Sequence, residues 1–286
     1  MIYLILSIIT SVIVVAYFKL FDKYGVHTFE AIVVNYLVCA TMGNMLAETP
    51  GITTAFWNEA WFKYTLILGF LFISVFYSIA QTTQKIGVSV SMVTAKLSVA
   101  IPILFAVFIH NETISIIKAA GIFVSLIAVY FISQNVSSKN NLKGLWYLPL
   151  YVFLGSGLID TILNHINKIY IPPFNTNHIL SFVFLTAFLL GGMILTYQFV
   201  TTKKIISAKS ILWGVALGIP NYMCMYFLLK TLGAFSEASI VLPINNIGIV
   251  TASTLTGVLL FKEQLSTFNK IGLALAIVSI VILSFS

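Results

Sequence analysis

The sequence contains no arginine, and charged residues of all kinds make up only 8% of its 286 positions. A soluble globular domain carries about 25% charged residues, so this chain cannot cover a water-facing surface of ordinary composition. Hydrophobic residues make up 59% of the chain, and the composition therefore predicts an integral membrane protein. The net charge of +7 comes from lysines that are scattered through short loops. That pattern indicates contact with a lipid bilayer and predicts no binding of nucleic acid.

The sequence lacks the residue patterns that several kinds of chemistry require. The two cysteines, Cys39 and Cys224, lie inside apolar segments, so they exclude a disulfide framework and are expected to be packing residues. The chain has no H-E-x-x-H zinc motif, no G-x-S-x-G nucleophile motif and no P-loop. Asp160 has no second aspartate within the apolar segments with which to form a protease dyad. We therefore expect no enzyme activity, no metal and no cofactor, and we expect no channel, because no selectivity-filter motif is present.

Ten apolar segments are each long enough to cross a bilayer, which needs about 20 residues. Segments with the alternation of a transmembrane β-barrel are absent. The predicted fold is an all-α integral membrane protein with ten transmembrane helices, at residues 2–21, 29–47, 64–84, 88–109, 114–134, 145–169, 178–201, 209–231, 237–260 and 267–285.

An internal repeat becomes visible when the second half is shifted by 151 residues. The stretch NETISIIKAAG, which ends at Gly121, then aligns with KEQLSTFNKIG, which ends at Gly272, and each contains a glutamate nine residues before its final glycine. Five spans in each copy is an odd number, so the second copy must enter the membrane inverted. Inverted repeats are typical of secondary transporters. We predict two five-helix repeats, at residues 1–138 and 139–286.

Over essentially its whole length the sequence resembles the EamA-like ten-helix members of the drug/metabolite transporter superfamily. The resemblance is carried by the two E-x8-G motifs that begin at Glu112 and Glu263, together with Pro102 and Pro243 in the spans before them. The two prolines stand at different distances from their glutamates and are not equivalent positions. The resemblance implies a secondary transporter that exports or exchanges small polar or amphipathic metabolites by alternating access.

Lys96 is a charged residue inside the apolar run 88–109. A charge near the bilayer centre costs at least about 2.5 kcal/mol and needs a reason. Lys96 could reach the interface by snorkelling, pair with a carboxylate or carbonyls, or line a substrate site. The shift of 151 residues places Thr94 opposite Asn245 and Ala95 opposite Asn246. We therefore predict that Lys96, Thr94, Asn245 and Asn246 bind substrate, although the two asparagines could instead bond across helices.

The sixth span carries a polar stripe. Ser156, Asp160, Asn164 and Asn167 follow at intervals of four, four and three residues, which places them on one helix face. Asp160 is a candidate to pair with Lys96, to carry a coupling proton, or to hold a cationic group of the substrate. The alternative is an ordinary buried carboxylate. Asp160 and Asn164 join the predicted substrate site.

Further polar and aromatic residues are candidate walls of that site. Their rings and hydroxyl or amide groups suit amphipathic ligands, although such residues pack in helix bundles as well. They are Tyr77, Gln81, Asn221, Tyr222 and Asn35. Glu112 and Glu263 stand at turns between helices, and we predict capping or interfacial roles for them.

The predicted substrate is an amino acid or a related compound, with Lys96 attracting a carboxylate and Asp160 an ammonium group. The alternative is a nucleotide-sugar or sugar-phosphate carrier. A coupling proton or ion and a monomeric or weakly dimeric state complete the prediction. The chain is expected in the cell (inner) membrane, with both termini on the same side. Most relatives have a cytoplasmic amino terminus, but that orientation puts ten lysines in outside loops and four in inside loops, so the positive-inside rule favours both termini outside.

Overall fold

The computed structural model describes residues 2–46, 62–110, 115–133, 145–170, 176–203, 205–234 and 238–284. Within these ranges the chain forms eleven α-helices and no β-strand, which confirms the all-α prediction. The helices are α1 (Ile2–Tyr24), α2 (Thr28–Met45), α3 (Phe62–Lys85), α4 (Val88–Leu97), α5 (Ala100–His110), α6 (Ile116–Ser133), α7 (Tyr147–Tyr170), α8 (Thr176–Thr202), α9 (Ala208–Ala234), α10 (Ala238–Leu259) and α11 (Thr267–Ser284). Each predicted segment falls on one helix, except that the fourth falls on both α4 and α5.

Within the described ranges, five helical stretches are long and apolar enough to cross a membrane. By length and composition the chain is therefore membrane-embedded. The five stretches are Ile2–Tyr24, Phe62–Lys85, Val88–Phe105, Ile179–Thr202 and Ala208–Thr231.

The helices group into two compact units. The first comprises Met1–Lys19, Ser78–Asp160 and Cys224–Ser286, and the second comprises Leu20–Tyr77 and Thr161–Met223. Each unit takes segments from both of the predicted repeats.

In the first unit, α6 and α11 pack closely where each carries a glycine. A Cβ atom added to Gly121 would lie 2.7 Å from Leu283, and one added to Gly272 would lie 2.5 Å from Ile132. The helices run antiparallel, because the start of α6 meets the end of α11. Shifting Gly121 and Ile132 by 151 residues gives Gly272 and Leu283, so the two contacts are reciprocal. Ser279 adds a hydrogen bond from its Oγ to the Gly121 carbonyl at 2.9 Å.

The buried core of the first unit surrounds α4. Val93 and Leu97 of α4 pack in one apolar cluster with Val250 of α10 and Ile280 of α11. Val88 and Met92 pack with Ile249 of α10 in a second cluster. These contacts fix α4 against α10, the pair of segments in which the sequence placed the candidate site.

Glu263 holds the N-terminus of α4 in the same unit. Its Oε1 accepts the Val88 backbone N–H at 2.6 Å, and its Oε2 accepts the Ser89 N–H at 3.3 Å and the Ser89 hydroxyl at 3.1 Å. Lys19 Nζ lies 4.0 Å from Oε1 and also donates to the Thr83 carbonyl at the end of α3, at 3.2 Å. Glu263 therefore caps a helix, although the helix that it caps lies far away in the sequence. Glu112 is outside the described residues.

In the second unit, α2 and α9 approach closely at two glycines of α9. A Cβ added to Gly214 would lie 2.6 Å from the Ala31 carbonyl, and one added to Gly218 would lie 2.6 Å from Val38. Small residues four apart let membrane helices pack with their backbones close together. The N-terminus of α9 is capped from within this unit, because the buried Glu30 accepts the Ser207 N–H at 3.1 Å.

Candidate functional site

The fourth predicted span is broken near its centre. Helix α4 ends at Leu97, Ser98 and Val99 form a turn, and α5 begins at Ala100. Pro102 causes the break, since a proline lacks the N–H that would bond four residues back and its ring clashes with that carbonyl. The carbonyl is that of Ser98, which instead accepts the Ile101 N–H at 2.9 Å. The predicted span 88–109 is therefore divided into two helices at this point.

Lys96 lies in the last turn of α4, one residue before the helix ends at Leu97, and its side chain is half-buried. The C-terminus of a helix carries partial negative charge, which stabilises a nearby cation. The charge of Lys96 also interacts with the Asp160 carboxylate of α7. The two groups form no ion pair within 4.0 Å. The predicted partners are thus brought near one another without direct contact.

Asp160 lies on an exposed face of α7 that is distinct from the apolar exposed face of that helix. Tyr151, Leu154 and Leu158 are 40%, 52% and 43% exposed and lie on one side. Asp160 comes two residues after Leu158, which is about 200° around the helix, and it is exposed as well. Asn164 is exposed on the same polar side, in the part of α7 assigned to the second unit. Charged side chains in membrane helices face the bundle interior or water, not lipid, so the polar side of α7 suits a hydrated cavity.

Two further helices contribute polar groups beside Lys96. The Ser7 hydroxyl of α1 donates to the Cys224 carbonyl of α9 at 3.1 Å. Ser11, one turn later in α1, hydrogen-bonds to the Cys224 thiol, and that thiol lies within electrostatic range of Lys96. Cys224 is half-buried, whereas Cys39 is fully buried, and neither forms a disulfide.

Helix α10 brings the two predicted asparagines against α4. Asn245 is only 2% exposed, and its Oδ1 accepts no hydrogen bond from the described part of the chain. Asn246 is half-buried. Thr94 of α4 is fully buried and donates its hydroxyl proton to the Val90 carbonyl at 2.7 Å, so its remaining capacity is that of an acceptor. Gln81 of α3 belongs to this unit and is half-buried.

The remaining predicted wall residues belong to the second unit. Asn221 Nδ2 donates to Asn35 Oδ1 at 3.1 Å, and both side chains are buried. Tyr222 is buried as well, and Tyr77 is partly exposed and packs edge-on against Phe29 at 5.7 Å. A role for these residues in substrate binding stays a prediction.

The comparisons with other proteins extend over nearly the whole chain. No family model matches it. An uncharacterized protein of Haemophilus influenzae is 27% identical over 285 residues, which is 97% of this chain and 95% of that protein. A crystal structure of another protein has a TM-score of 0.58 over 98% of this chain and 97% of its own length, at 12% identity. At that identity the likeness shows the fold alone.

Sequence reasoning missed Ser7, Ser11 and the place of Cys224. The two serines do carry a signal, because they stand four residues apart in a mostly apolar stretch that also contains Thr10. It also missed Glu30, a 3% exposed carboxylate in the first turn of α2. Glu30 and Glu263 both cap helices from far along the chain.

Proposed function

We propose that this protein is a secondary transporter of small metabolites. It crosses the membrane ten times as two inverted five-helix repeats and works by alternating access. The inverted repeat is supported by the reciprocal contacts of Gly121 with Leu283 and of Gly272 with Ile132, because a two-fold relation exchanges one contact with the other. The resemblance to the EamA-like drug/metabolite transporters agrees with this assignment.

One observation carries the proposal: a membrane-spanning segment is broken beside two opposite charges. Transporter sites lie near the bilayer midplane at discontinuous helices, whose free ends interact with substrate and ions. Here the break at Ser98–Val99 begins two residues after Lys96, and the charge of Asp160 is close enough to interact with that of Lys96.

The spacing of the two charges favours a zwitterionic substrate such as an amino acid. Lys96 and Asp160 interact but lie further apart than a direct ion pair. In a medium of low dielectric constant, two opposite charges that are not in contact are both stabilised by a zwitterionic group that lies between them. The substrate carboxylate would then bind Lys96 and its ammonium group would bind Asp160. Asp160 is also the candidate carrier of a coupling proton.

A thermal-shift screen followed by a counterflow assay tests the proposal. A ligand at 100 times its Kd stabilises the folded protein by about 2.7 kcal/mol. We expect one or more amino acids to raise the melting temperature and to exchange across proteoliposome membranes. Lys96→Met and Asp160→Asn should abolish both effects, whereas Lys85→Met, which removes an exposed charge at the end of α3, should preserve them.

The contrary outcomes are distinct. A shift with nucleotide-sugars or sugar phosphates alone would replace the amino-acid assignment with the alternative carrier. Exchange that survives in both Lys96→Met and Asp160→Asn would remove the two charges from the substrate site. A protein that exchanges none of these compounds would contradict the transporter proposal itself.

A further inference from the structure

The side chain of Asn245 in α10 is buried without a hydrogen bond to its oxygen. It is 2% exposed, and its Oδ1 has no hydrogen-bond partner among the residues that the structure describes. Buried polar groups are nearly always hydrogen-bonded, because an unpaired group has lost its contact with water and gained nothing in return. The oxygen of Asn245 therefore calls for a donor from outside the described chain.

The contact between α4 and α10 sets the depth of Asn245 in the first unit. The two helices run antiparallel, because the segment after α10 caps the start of α4. A Cβ added to Gly257 of α10 would lie 2.9 Å from the Ser89 Oγ of α4, so these two residues are level. Twelve residues separate Asn245 from Gly257, and the same count leads from Ser89 to Ile101, the second residue of α5. Asn245 is therefore level with the start of α5, about 7 Å in depth from Lys96.

The Asn245 side chain lies on the side of α10 that faces α4 and α1. It precedes Ile249 by four residues, which is about 40° around the helix. Ile249 packs in one apolar cluster with Met92 of α4 and Val15 of α1. Ile244, about 100° away from Asn245, is 47% exposed and lies on a side suited to lipid. Asn245 is thus directed into the unit, near the break between α4 and α5.

Helix α7 brings Asp160 to a similar depth in the same unit. A Cβ added to Gly157 of α7 would lie 2.6 Å from the Ile101 Cβ, so α5 and α7 touch just after the break. Asp160 follows Gly157 by three residues, which is about one turn along α7 and 60° around it. Asp160 and Asn245 are therefore within about one helical turn of each other in depth, next to the start of α5.

We propose that Asn245 accepts a hydrogen bond from the ammonium group of the substrate, beside Asp160, and makes the site selective for amino acids over their 2-hydroxy analogues. The proposal rests on the proposed function, since it adds a third anchoring group to the same site. An ammonium group has three N–H donors and can serve both side chains at once. A hydroxyl has one donor, so a hydroxy acid leaves one of the two buried groups unpaired.

The first test measures the melting temperature of the ligand-free protein in detergent. Asn245→Leu replaces an unpaired amide with an apolar side chain of similar size, so the melting temperature should stay the same or rise. Asn269→Leu is the matched control, because both ends of that amide are bonded. Its Nδ2 donates to the Ile132 carbonyl at 3.1 Å, and its Oδ1 accepts the Ser266 hydroxyl at 2.7 Å. The control should melt several degrees lower than the wild type.

The second test measures selectivity with defined probes. They are L-alanine, L-leucine and L-phenylalanine, each paired with its 2-hydroxy analogue: lactate, 2-hydroxy-4-methylpentanoate and phenyllactate. Titration calorimetry gives the Kd of each compound. The wild type should bind at least one amino acid about 100-fold or more tightly than its analogue. Asn245→Leu should lower that ratio by about 10- to 100-fold, the contribution of one hydrogen bond to a charged group. Asn269→Leu should keep the wild-type ratio despite its lower stability.

Three results would overturn the inference. The first is an Asn245→Leu variant that melts as early as Asn269→Leu or does not fold, which would show that the amide has a structural partner. The second is a selectivity ratio that Asn245→Leu leaves unchanged. The third is a wild type that binds none of the three amino acids more tightly than its hydroxy analogue.

The inference and the proposed function fail in different ways. Selective binding that depends on Asn245, without counterflow in proteoliposomes, would leave this inference standing and remove the proposed function. Counterflow of an amino acid that stays equally selective in Asn245→Leu would do the reverse.

Discussion

Glu263 uses both carboxylate oxygens to complete the first turn of α4. The first N–H groups of a helix have no partner within it, and a carboxylate there gains from both hydrogen bonding and the helix dipole. Gly87 at the N-cap has φ +151°, and a Cβ added there would lie 3.0 Å from Glu263 Oε1. Both the conformation and the space at this position therefore favour glycine.

We predict that Glu263→Gln destabilises the protein. One of the two oxygens becomes an amide nitrogen, which cannot accept from Val88 or Ser89, and a hydrogen bond to a charged group contributes about 1.5–3 kcal/mol. The melting temperature in detergent, followed by tryptophan fluorescence, should fall by several degrees. Asp22→Asn removes an exposed acid and should leave the melting temperature unchanged. Equal melting of the two variants would show that the cap contributes nothing.

Helices α6 and α11 need a glycine at each of their two close contacts, because the facing helix leaves no room for a Cβ atom there. The atoms nearest to a Cβ at Gly121 belong to the flexible side chains of Leu283 and Ile282. Those nearest to a Cβ at Gly272 include the Ile132 backbone N at 3.0 Å and the Ala128 carbonyl at 3.1 Å. A side chain can move aside, whereas a packed helix backbone moves only with the whole helix.

We therefore predict that Gly272→Ala costs more stability than Gly121→Ala. Overpacking typically costs about 1–3 kcal/mol, and the value for Gly272 should lie at the upper end. Gly192→Ala is the control, since a Cβ there meets nothing within 4 Å and alanine favours a helix by up to about 1 kcal/mol. Unfolding titrations in mixed micelles would rank the three variants. A Gly192→Ala variant as unstable as the other two would contradict the packing explanation.

The break between α4 and α5 changes what this segment offers chemically. A continuous helix has its carbonyls engaged in internal bonds, whereas a helix that ends inside the bundle presents a partially negative terminus. Lys96 sits at that terminus, which offsets part of the cost of placing a cation there. Lys96 can therefore carry its charge in the absence of substrate and remain available to bind a substrate.

Hydropathy predicted where most helices begin and end, because each apolar run must be about as long as the bilayer is thick. Helix α1, for example, was expected at residues 2–21 and ends at Tyr24. The same signal could not reveal the break after Leu97, since one proline hardly changes the mean hydropathy of an apolar run, and Pro102 acts through the carbonyl of Ser98. That effect is geometric, not hydrophobic.

The candidate site was predictable only in part, for a similar reason. Lys96 and Asp160 are conspicuous because charges are rare in apolar segments, and their charges do interact. Ser7 and Cys224 are ordinary residues in membrane helices, and they are separated by 217 positions. A single sequence carries no signal for a contact between such residues.

We predict that both termini face the outside of the cell membrane. In this orientation ten lysines lie in cytoplasmic loops, and two of them serve helix ends: Lys19 donates to the Thr83 carbonyl and Lys209 to the Tyr24 carbonyl. Setting them aside leaves eight against four, so the positive-inside rule gives the same orientation. A carboxy-terminal alkaline phosphatase fusion should be active in bacteria and a green fluorescent protein fusion dark. The opposite pair of results would place the termini in the cytoplasm.

The bond between Glu263 and the Val88 amide spans 175 residues, and this separation has a consequence for biosynthesis. A ribosome adds about 5–20 residues per second, so roughly 9–35 s pass between the synthesis of α4 and that of its cap. During that interval the nascent first half must wait in the membrane with the start of α4 unfinished. A ribosome that stalls before codon 263 would therefore leave an incomplete chain for the quality-control proteases to recognise.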